Sequence, residues 1–207
     1  MEDYLKSTIE TYNQIAREYM QNTIDRRPQV EFEDFCQRVV PGGFILDAGC
    51  AGGRDCRAFV ERGFSVIGID LSAEMIKLAR DIAPRCRLIE ADVRQIPLAD
   101  QKVDGIWCCA SLLHLQRDQT VRALREFRRV LKVGGICCVI VKEGSGEEVV
   151  EYEQGKPRFF TYFRREEIQK RCYCAGFSLL DEHISSGNPG HRRDGRTQNW
   201  ISLLMKT

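Results

Sequence analysis

No stretch of this 207-residue chain holds the ~20 consecutive apolar residues that a bilayer-spanning helix needs, so no such helix is expected. The opening residues, Met1 to Glu10, lack a signal-peptide profile, and the expected location is the cytoplasm. Excess charge is missing too. With 31 basic and 30 acidic residues the formal net charge is +1, which argues against electrostatic capture by nucleic acid or an anionic membrane. Arginines do cluster between Arg122 and Arg129, and again at Arg192, Arg193 and Arg196. Solvated helix and loop surface is the ordinary reading of both.

Zinc-type cysteine spacing is also lacking. Ten cysteines are present, yet the pair Cys172 and Cys174 has no second pair at a suitable distance, so no metal site is expected. Cys108, Cys109, Cys137 and Cys138 lie within apolar runs. Adjacent residues on a strand point to opposite faces, so these read as small buried hydrophobes and reduced thiols. No internal repeat, low-complexity tract or linker divides the chain, and its length fits one domain.

What the chain does have is alternation between amphipathic and apolar segments. Leu5, Ile9, Tyr12, Ile15, Ala16 and Tyr19 recur at three- and four-residue spacings, which predicts a helix over 4–21. A second helix is predicted from Pro28 to Val39, stopped by Pro41-Gly42-Gly43. Strands are predicted at 44–49, 65–70, 87–90 and 103–110, with helices after the first two, at 54–62 and from Ser72 onward as its cap. A helix over 118–131 is expected to end at Gly134-Gly135 and release a fifth strand, 136–141. A loop of about twenty residues should follow, and loops that long in compact domains are usually functional. A helix over 165–175 and two antiparallel strands, 177–180 and 200–205, complete the reading. Strand–helix alternation implies right-handed crossovers and a parallel sheet covered on both faces.

In such a sheet, ligands sit beyond the carboxyl ends of the strands, where the strand order reverses. The first strand runs into Asp47-Ala48-Gly49-Cys50-Ala51-Gly52-Gly53, a turn whose glycines let backbone approach a ligand, ahead of a helix whose amino end offers free amides. Asp70, at the tip of the second strand and about twenty residues on, is placed to accept both ribose hydroxyls of an adenosine-type ligand. Asp92 is placed to accept from an adenine amino group, with the Val93 amide on a ring nitrogen. An N-cap or turn role is its competing reading. The glycine order differs from the G-x-G-x-x-G of a dinucleotide site, and Asp47 would repel a pyrophosphate, which disfavours a nicotinamide oxidoreductase.

These segments resemble the class I S-adenosylmethionine-dependent methyltransferases across nearly the whole chain. ILDAGCAGG (45–53), VIGIDLS (66–72), IEADVRQIPL (89–98), DGIWCCASLLHL (104–115) and FRRVLKVGG (127–135) match the family's motifs in order. The resemblance implies an α/β fold: a three-layer Rossmann-like sandwich on a mostly parallel seven-stranded sheet, its last strand inserted antiparallel, with N-terminal lid helices. Residues 1–40 would be cap helices, 44–142 the cofactor-binding core and 143–207 the acceptor-side elements. S-adenosyl-L-methionine is the implied cofactor. Its implied contacts are Tyr12, Tyr19, Asp47, Gly49, Cys50, Ala51, Gly52, Asp70, Leu71, Met75, Asp92, Val93 and Cys109, with no metal. Ala51 stands where many members carry glycine, a change expected to matter little because alanine is small. Tyr12 and Tyr19 would close over the methionine end, where a tyrosine face attracts the sulfonium; packing of the helix onto the sheet is the alternative.

The sulfonium methyl is already electrophilic, so the fold class demands no particular catalytic residue. His114 is the candidate base, against a structural role in anchoring its loop, and Glu143 is a weaker one. Phe159, Phe160, Tyr162 and Phe163 would line an acceptor pocket or serve as core. His191 with Arg192, Arg193 and Arg196 would recognise an anionic acceptor or form a solvated loop. The expected reaction is methyl transfer to a small molecule by a monomer or homodimer, with no membrane partner. The alternatives are an RNA or protein acceptor, and a non-catalytic cofactor-binding subunit that needs a partner.

Overall fold

Strands form where β-branched and apolar residues run together, and helices where apolar positions recur on one face. In the computed structural model, which describes residues 2–152, 155–186 and 197–207, two helices come first, α1 (Asp3–Thr23) and α2 (Gln29–Arg38). β1 (Phe44–Ala48), α3 (Arg54–Glu61), β2 (Ser65–Asp70), α4 (Ala73–Ile82), β3 (Arg87–Glu90) and β4 (Val103–Cys109) follow. A 3-10 turn at Leu112–His114 leads to α5 (Arg117–Val130) and β5 (Leu131–Lys142). Then come β6 (Glu147–Tyr152), β7 (Lys156–Thr161), α6 (Arg165–Cys174), β8 (Ser178–Ser186) and β9 (Asn199–Lys206).

Seven strands form one sheet in the order β3-β2-β1-β4-β5-β9-β8. β1 to β5 are mutually parallel, and β9 runs antiparallel between β5 and β8. The order reverses between β1 and β4, which opens a crevice at their carboxyl ends.

The core divides by strand alternation. Leu46, Ile106, Cys108 and Cys137 join Phe127 and Phe163 on one face. Their neighbours Ile45, Trp107 and Cys138 join Phe32, Phe35 and Phe59 on the other. All ten cysteines are free thiols. Trp107 is fully buried with Phe35 at 5.4 Å and Phe32 at 5.9 Å between ring centroids, so α2 closes that face with aromatic contacts. Among the described residues no helix is long and apolar enough to cross a membrane.

Two sequence expectations are corrected. Gly134-Gly135 does not stop α5: Leu131, fully buried, carries the chain directly into β5. Val103 pairs with Leu131 and Gly105 with Ile136, so extra residues bulge from β5, and Gly134 takes φ +75° within that bulge. Nor is the stretch after β5 a long loop. β6 and β7 form an antiparallel two-stranded sheet, seated on α1 where Thr11 Oγ1 donates to Pro157 O at 2.7 Å and Phe159 N to Thr8 Oγ1 at 3.0 Å.

Candidate functional site

A cavity of about 930 Å³ opens at the carboxyl edge of β1, β2 and β4, roofed by α1 and β7. The turn after β1 forms its floor. Gly49 N and Cys50 N both donate to Ile69 O, at 2.8 and 2.9 Å, which ties the turn to β2. Gly49 takes φ +89°, and a Cβ there would lie 2.2 Å from Ser111 Oγ, so glycine is required twice over.

Asp70 joins two backbone turns. Its Oδ2 accepts from Ala51 N and its Oδ1 from Ser72 N, each at 2.9 Å. Burial holds the carboxyl above its usual range, against the pull of these amides. Each oxygen keeps a lone pair for a ligand hydroxyl. Ser72 Oγ caps α4 by accepting from Met75 N at 3.2 Å and donates to Asn13 Oδ1 at 2.7 Å, so the cap also pins α1.

Of the sequence-predicted residues, Tyr12, Tyr19, Gly49, Cys50, Ala51, Asp70, Leu71, Met75, Val93 and Cys109 all line this cavity. Asp47, Gly52 and Asp92 do not. Asp47 is buried, accepts from Cys56 Sγ at 3.2 Å, and has its carboxyl pushed well above the usual range by burial and by the nearby Asp55. It ties the end of β1 to α3 inside the core. Gly52 seats α1: a Cβ there would meet Met20 Sδ at 2.5 Å. The Asp92 carboxylate is gripped by Arg94, Nη2 to Oδ2 at 2.8 Å, and Arg94 reaches on to Glu2 at 3.0 Å. Ala51 adopts a left-handed φ of +45°, so the residue expected to be neutral by size carries backbone strain.

His114 is held on both sides. Its Nδ1 lies 2.7 Å from Phe159 O, and its Nε2 lies 2.8 Å from Tyr12 Oη. A carbonyl oxygen only accepts, so Nδ1 carries the proton, and Nε2 accepts from the Tyr12 hydroxyl. Arg158 Nη1 donates to the same Tyr12 oxygen at 3.1 Å. Burial, followed by the charges of Arg158 and Lys142, pushes the His114 pKa down to about 3. The imidazole therefore stays neutral with its lone pair engaged. Tyr12 and Tyr19 meet edge to face at 5.3 Å, and burial raises the Tyr19 phenol. Glu143 lies outside the cavity lining, its Oε2 accepting from Asn199 Nδ2 at 2.9 Å.

The aromatic run divides between the two sequence readings. Phe160 lines the cavity, Phe159 packs on Tyr4 at 4.5 Å, and Phe163 sits in the main core. His191, Arg192, Arg193 and Arg196 lie outside the described residues. Arg129 is a fastener, pairing with Glu126 at 2.8 Å and Asp100 at 2.9 Å.

Sequence reading missed Arg54 and Asp55, which both line the cavity. Arg54 forks onto Asp55 at 2.7 and 2.8 Å and donates to the carbonyls of Thr23 and Arg26, each at 3.2 Å, binding the end of α1 to the turn. Trp107 Nε1 donates to Asp55 Oδ2 at 3.0 Å. The available signal was a charged pair placed directly after a glycine turn, where the chain enters the crevice.

The geometry agrees with the comparisons to known proteins. A family model described as a methyltransferase domain matches residues 45–135. A malonyl-[acyl-carrier protein] O-methyltransferase of Pectobacterium atrosepticum is 34% identical over 143 residues, covering 67% of this chain and 55% of that protein. The chain thus spans about half the length of that curated relative. Among solved structures, a SAM-dependent methyltransferase of Methanosarcina mazei aligns with TM-score 0.76 and 17% identity, over 88% of this chain and 98% of that one. The 1,6-didemethyltoxoflavin-N1-methyltransferase of Burkholderia thailandensis, solved with its substrate and S-adenosylhomocysteine, aligns with TM-score 0.73 and 20% identity over 98% and 87%. Residues 45–135 thus hold a methyltransferase domain of the class I S-adenosylmethionine-dependent type. S-adenosylmethionine is the cofactor of that class.

Proposed function

We propose that this protein transfers the methyl group of S-adenosylmethionine to a small-molecule acceptor. One observation carries the reading: Asp70 and the Gly49–Ala51 turn face a cavity that continues past His114 to the β6–β7 hairpin. At about 930 Å³ the cavity lies near the top of the ~300–1,000 Å³ range of small-molecule sites, room for a cofactor and a second ligand.

The donor set suits the cofactor. Asp70 would take the ribose hydroxyls, Leu71, Met75 and Val93 would enclose the adenine, and Arg54 would face the aminoacyl carboxylate. The bound sulfonium supplies an electrophilic methyl group. The chain's own part is to orient and to exclude water. α1 covers the crevice, and Tyr12 and Tyr19 close it. His114 serves as a positioning residue, because a neutral imidazole bonded at both nitrogens fastens α1 to β7 and has no lone pair to spare as a base. A second reading, an acyl group carried on a protein, is favoured by the name of the Pectobacterium relative.

Calorimetry with S-adenosylhomocysteine tests the cofactor reading, with heat of binding and a raised melting temperature expected. No heat with either that product or S-adenosylmethionine removes it. A methyl-acceptor panel then tests the acceptor class: turnover with RNA alone would overturn the small-molecule reading.

A further inference from the structure

Three thiols form a row that starts in the turn after β1. Cys50 belongs to that turn, Cys56 to α3, and Cys86 to the segment that leads into β3. Glycine at position 68 of β2 makes room for two of them: a Cβ there would lie 2.8 Å from Cys56 Sγ and 2.9 Å from Cys50 Sγ. The third closes on the same helix residue, with Cys86 Sγ donating to Cys56 O at 3.7 Å. The Cys56 side chain is hydrogen-bonded to those of both Cys50 and Cys86. Cys56 Sγ also donates to Asp47 Oδ2 at 3.2 Å, so the middle of the row is tied to the end of β1.

The three differ in access. Cys56 is fully buried and Cys50 nearly so, whereas Cys86 is half-buried. A thiol reacts as its thiolate. The hydrogen bond from Cys56 outweighs partial burial and, with the Arg85 charge, holds the Cys86 thiol below its ordinary range. The row therefore has one reactive, reachable end at Cys86, and its other end, Cys50, lines the cofactor cavity. All three are free thiols.

We propose that this row is a redox switch on the cofactor site: hydrogen peroxide oxidises Cys86, Cys56 resolves it, and the Cys56–Cys86 disulfide weakens cofactor binding. The proposal goes beyond methyl transfer and rests on the cofactor reading above for its effect. The Cys86 sulfur attacks one peroxide oxygen and the O–O bond breaks, leaving a sulfenic acid; the other oxygen takes the thiol proton and departs as water. The Cys56 sulfur then attacks the Cys86 sulfur, the S–O bond breaks, and the Cys56 proton leaves with that oxygen as a second water. Two thiols give up two electrons and two hydrogens, and peroxide takes up both. An S–S bond of about 2 Å draws Cys56 Sγ toward Cys86 and away from Cys50. Cys56 also has no hydrogen left for Asp47. The turn that Cys50 belongs to loses its support from α3.

The test treats the full chain with hydrogen peroxide and maps it by mass spectrometry without reductant. A cross-linked peptide pair joining Cys56 to Cys86, lighter by two hydrogens, is expected. Calorimetry should then show S-adenosylhomocysteine bound about three- to tenfold more weakly, the size of one lost hydrogen bond, with dithiothreitol restoring the affinity. Cys86→Ser should bind S-adenosylhomocysteine as wild type does before treatment, which also shows that the variant folds, and should keep that affinity after it. No cross-link, a cross-link from Cys56 to Cys50 instead, an unchanged affinity in the cross-linked protein, or an equal loss in Cys86→Ser overturns the proposal. Any of these with normal binding before treatment overturns this proposal alone; no heat with S-adenosylhomocysteine before treatment removes the cofactor reading and this one with it.

Discussion

The Tyr12 hydroxyl on α1 donates to Nε2 of His114 across 2.8 Å, joining the roof of the cavity to the edge of the sheet. Tyr12→Phe would leave a buried imidazole nitrogen and the Arg158 guanidinium each short of a partner. Losing one such bond costs about 1–3 kcal/mol. Thermal unfolding should show a melting temperature several degrees lower, and calorimetry should show weaker binding of S-adenosylhomocysteine. An unchanged melting temperature would mean that the bond does not fasten α1.

The same histidine sets a pH dependence. Folded, His114 takes up a proton only near pH 3. Unfolded, it titrates near its ordinary value of about 6.5. Between those values the unfolded chain binds more protons, so stability falls as pH drops from about 6.5 toward 3. Asp47 and Asp70, whose carboxyls are raised, act with the opposite sign, so the comparison must be between variants. His114→Gln should be less stable than wild type at pH 7, and its stability should fall less steeply over denaturant titrations from pH 6.5 to 4. Parallel slopes would contradict a neutral, enclosed His114.

Residues 49 and 51 should respond in opposite ways to exchange between glycine and alanine. Gly49→Ala puts a Cβ against Ser111 and a side chain at φ +89°, and should cost about 1–3 kcal/mol. Ala51→Gly relieves a left-handed strain of about 1–2 kcal/mol, offset in part by the greater freedom of glycine in the unfolded chain. It should be neutral or mildly stabilising in urea unfolding. A clear loss at residue 51 would show that the backbone there is not strained.

Asp70→Asn keeps the shape but turns an amide toward either Ala51 N or Ser72 N, both donors. One of those bonds is then lost, and with it an oxygen facing the cavity. Affinity for S-adenosylhomocysteine should fall at least about tenfold, as for hydrogen bonds to a charged group. Equal affinity by calorimetry would remove Asp70 from the cofactor site.

The layered sheet, the Gly49 turn and Asp70 were legible because their signals are local: an apolar run, a glycine turn, an acid at a strand tip. The hairpin was not. β6, Glu-Glu-Val-Val-Glu-Tyr, shows no alternation of apolar and polar residues, and it is the β7 backbone, bonded to Thr8 and Thr11 of α1, that holds the pair on the core. Asp92 read as a ligand because nothing in its spacing reveals that Arg94 takes the carboxylate. Lys142, Arg158 and Gln198 look like ordinary surface residues in the sequence. Their surroundings come from the roof that α1 and the hairpin build over them, which is tertiary packing.

The place of β9 has a consequence for how the molecule is made. Among the described residues β8 has no neighbour in the sheet other than β9, so it cannot join until residues 199–206 have slid in beside β5. A nascent chain or fragment ending before residue 199 carries an open edge along β5, where the backbone from Ile136 to Lys142 lacks its antiparallel partner. Such a chain is exposed to pairing with a stranger's strand, and the ribosome-bound intermediate is the form most in need of a chaperone.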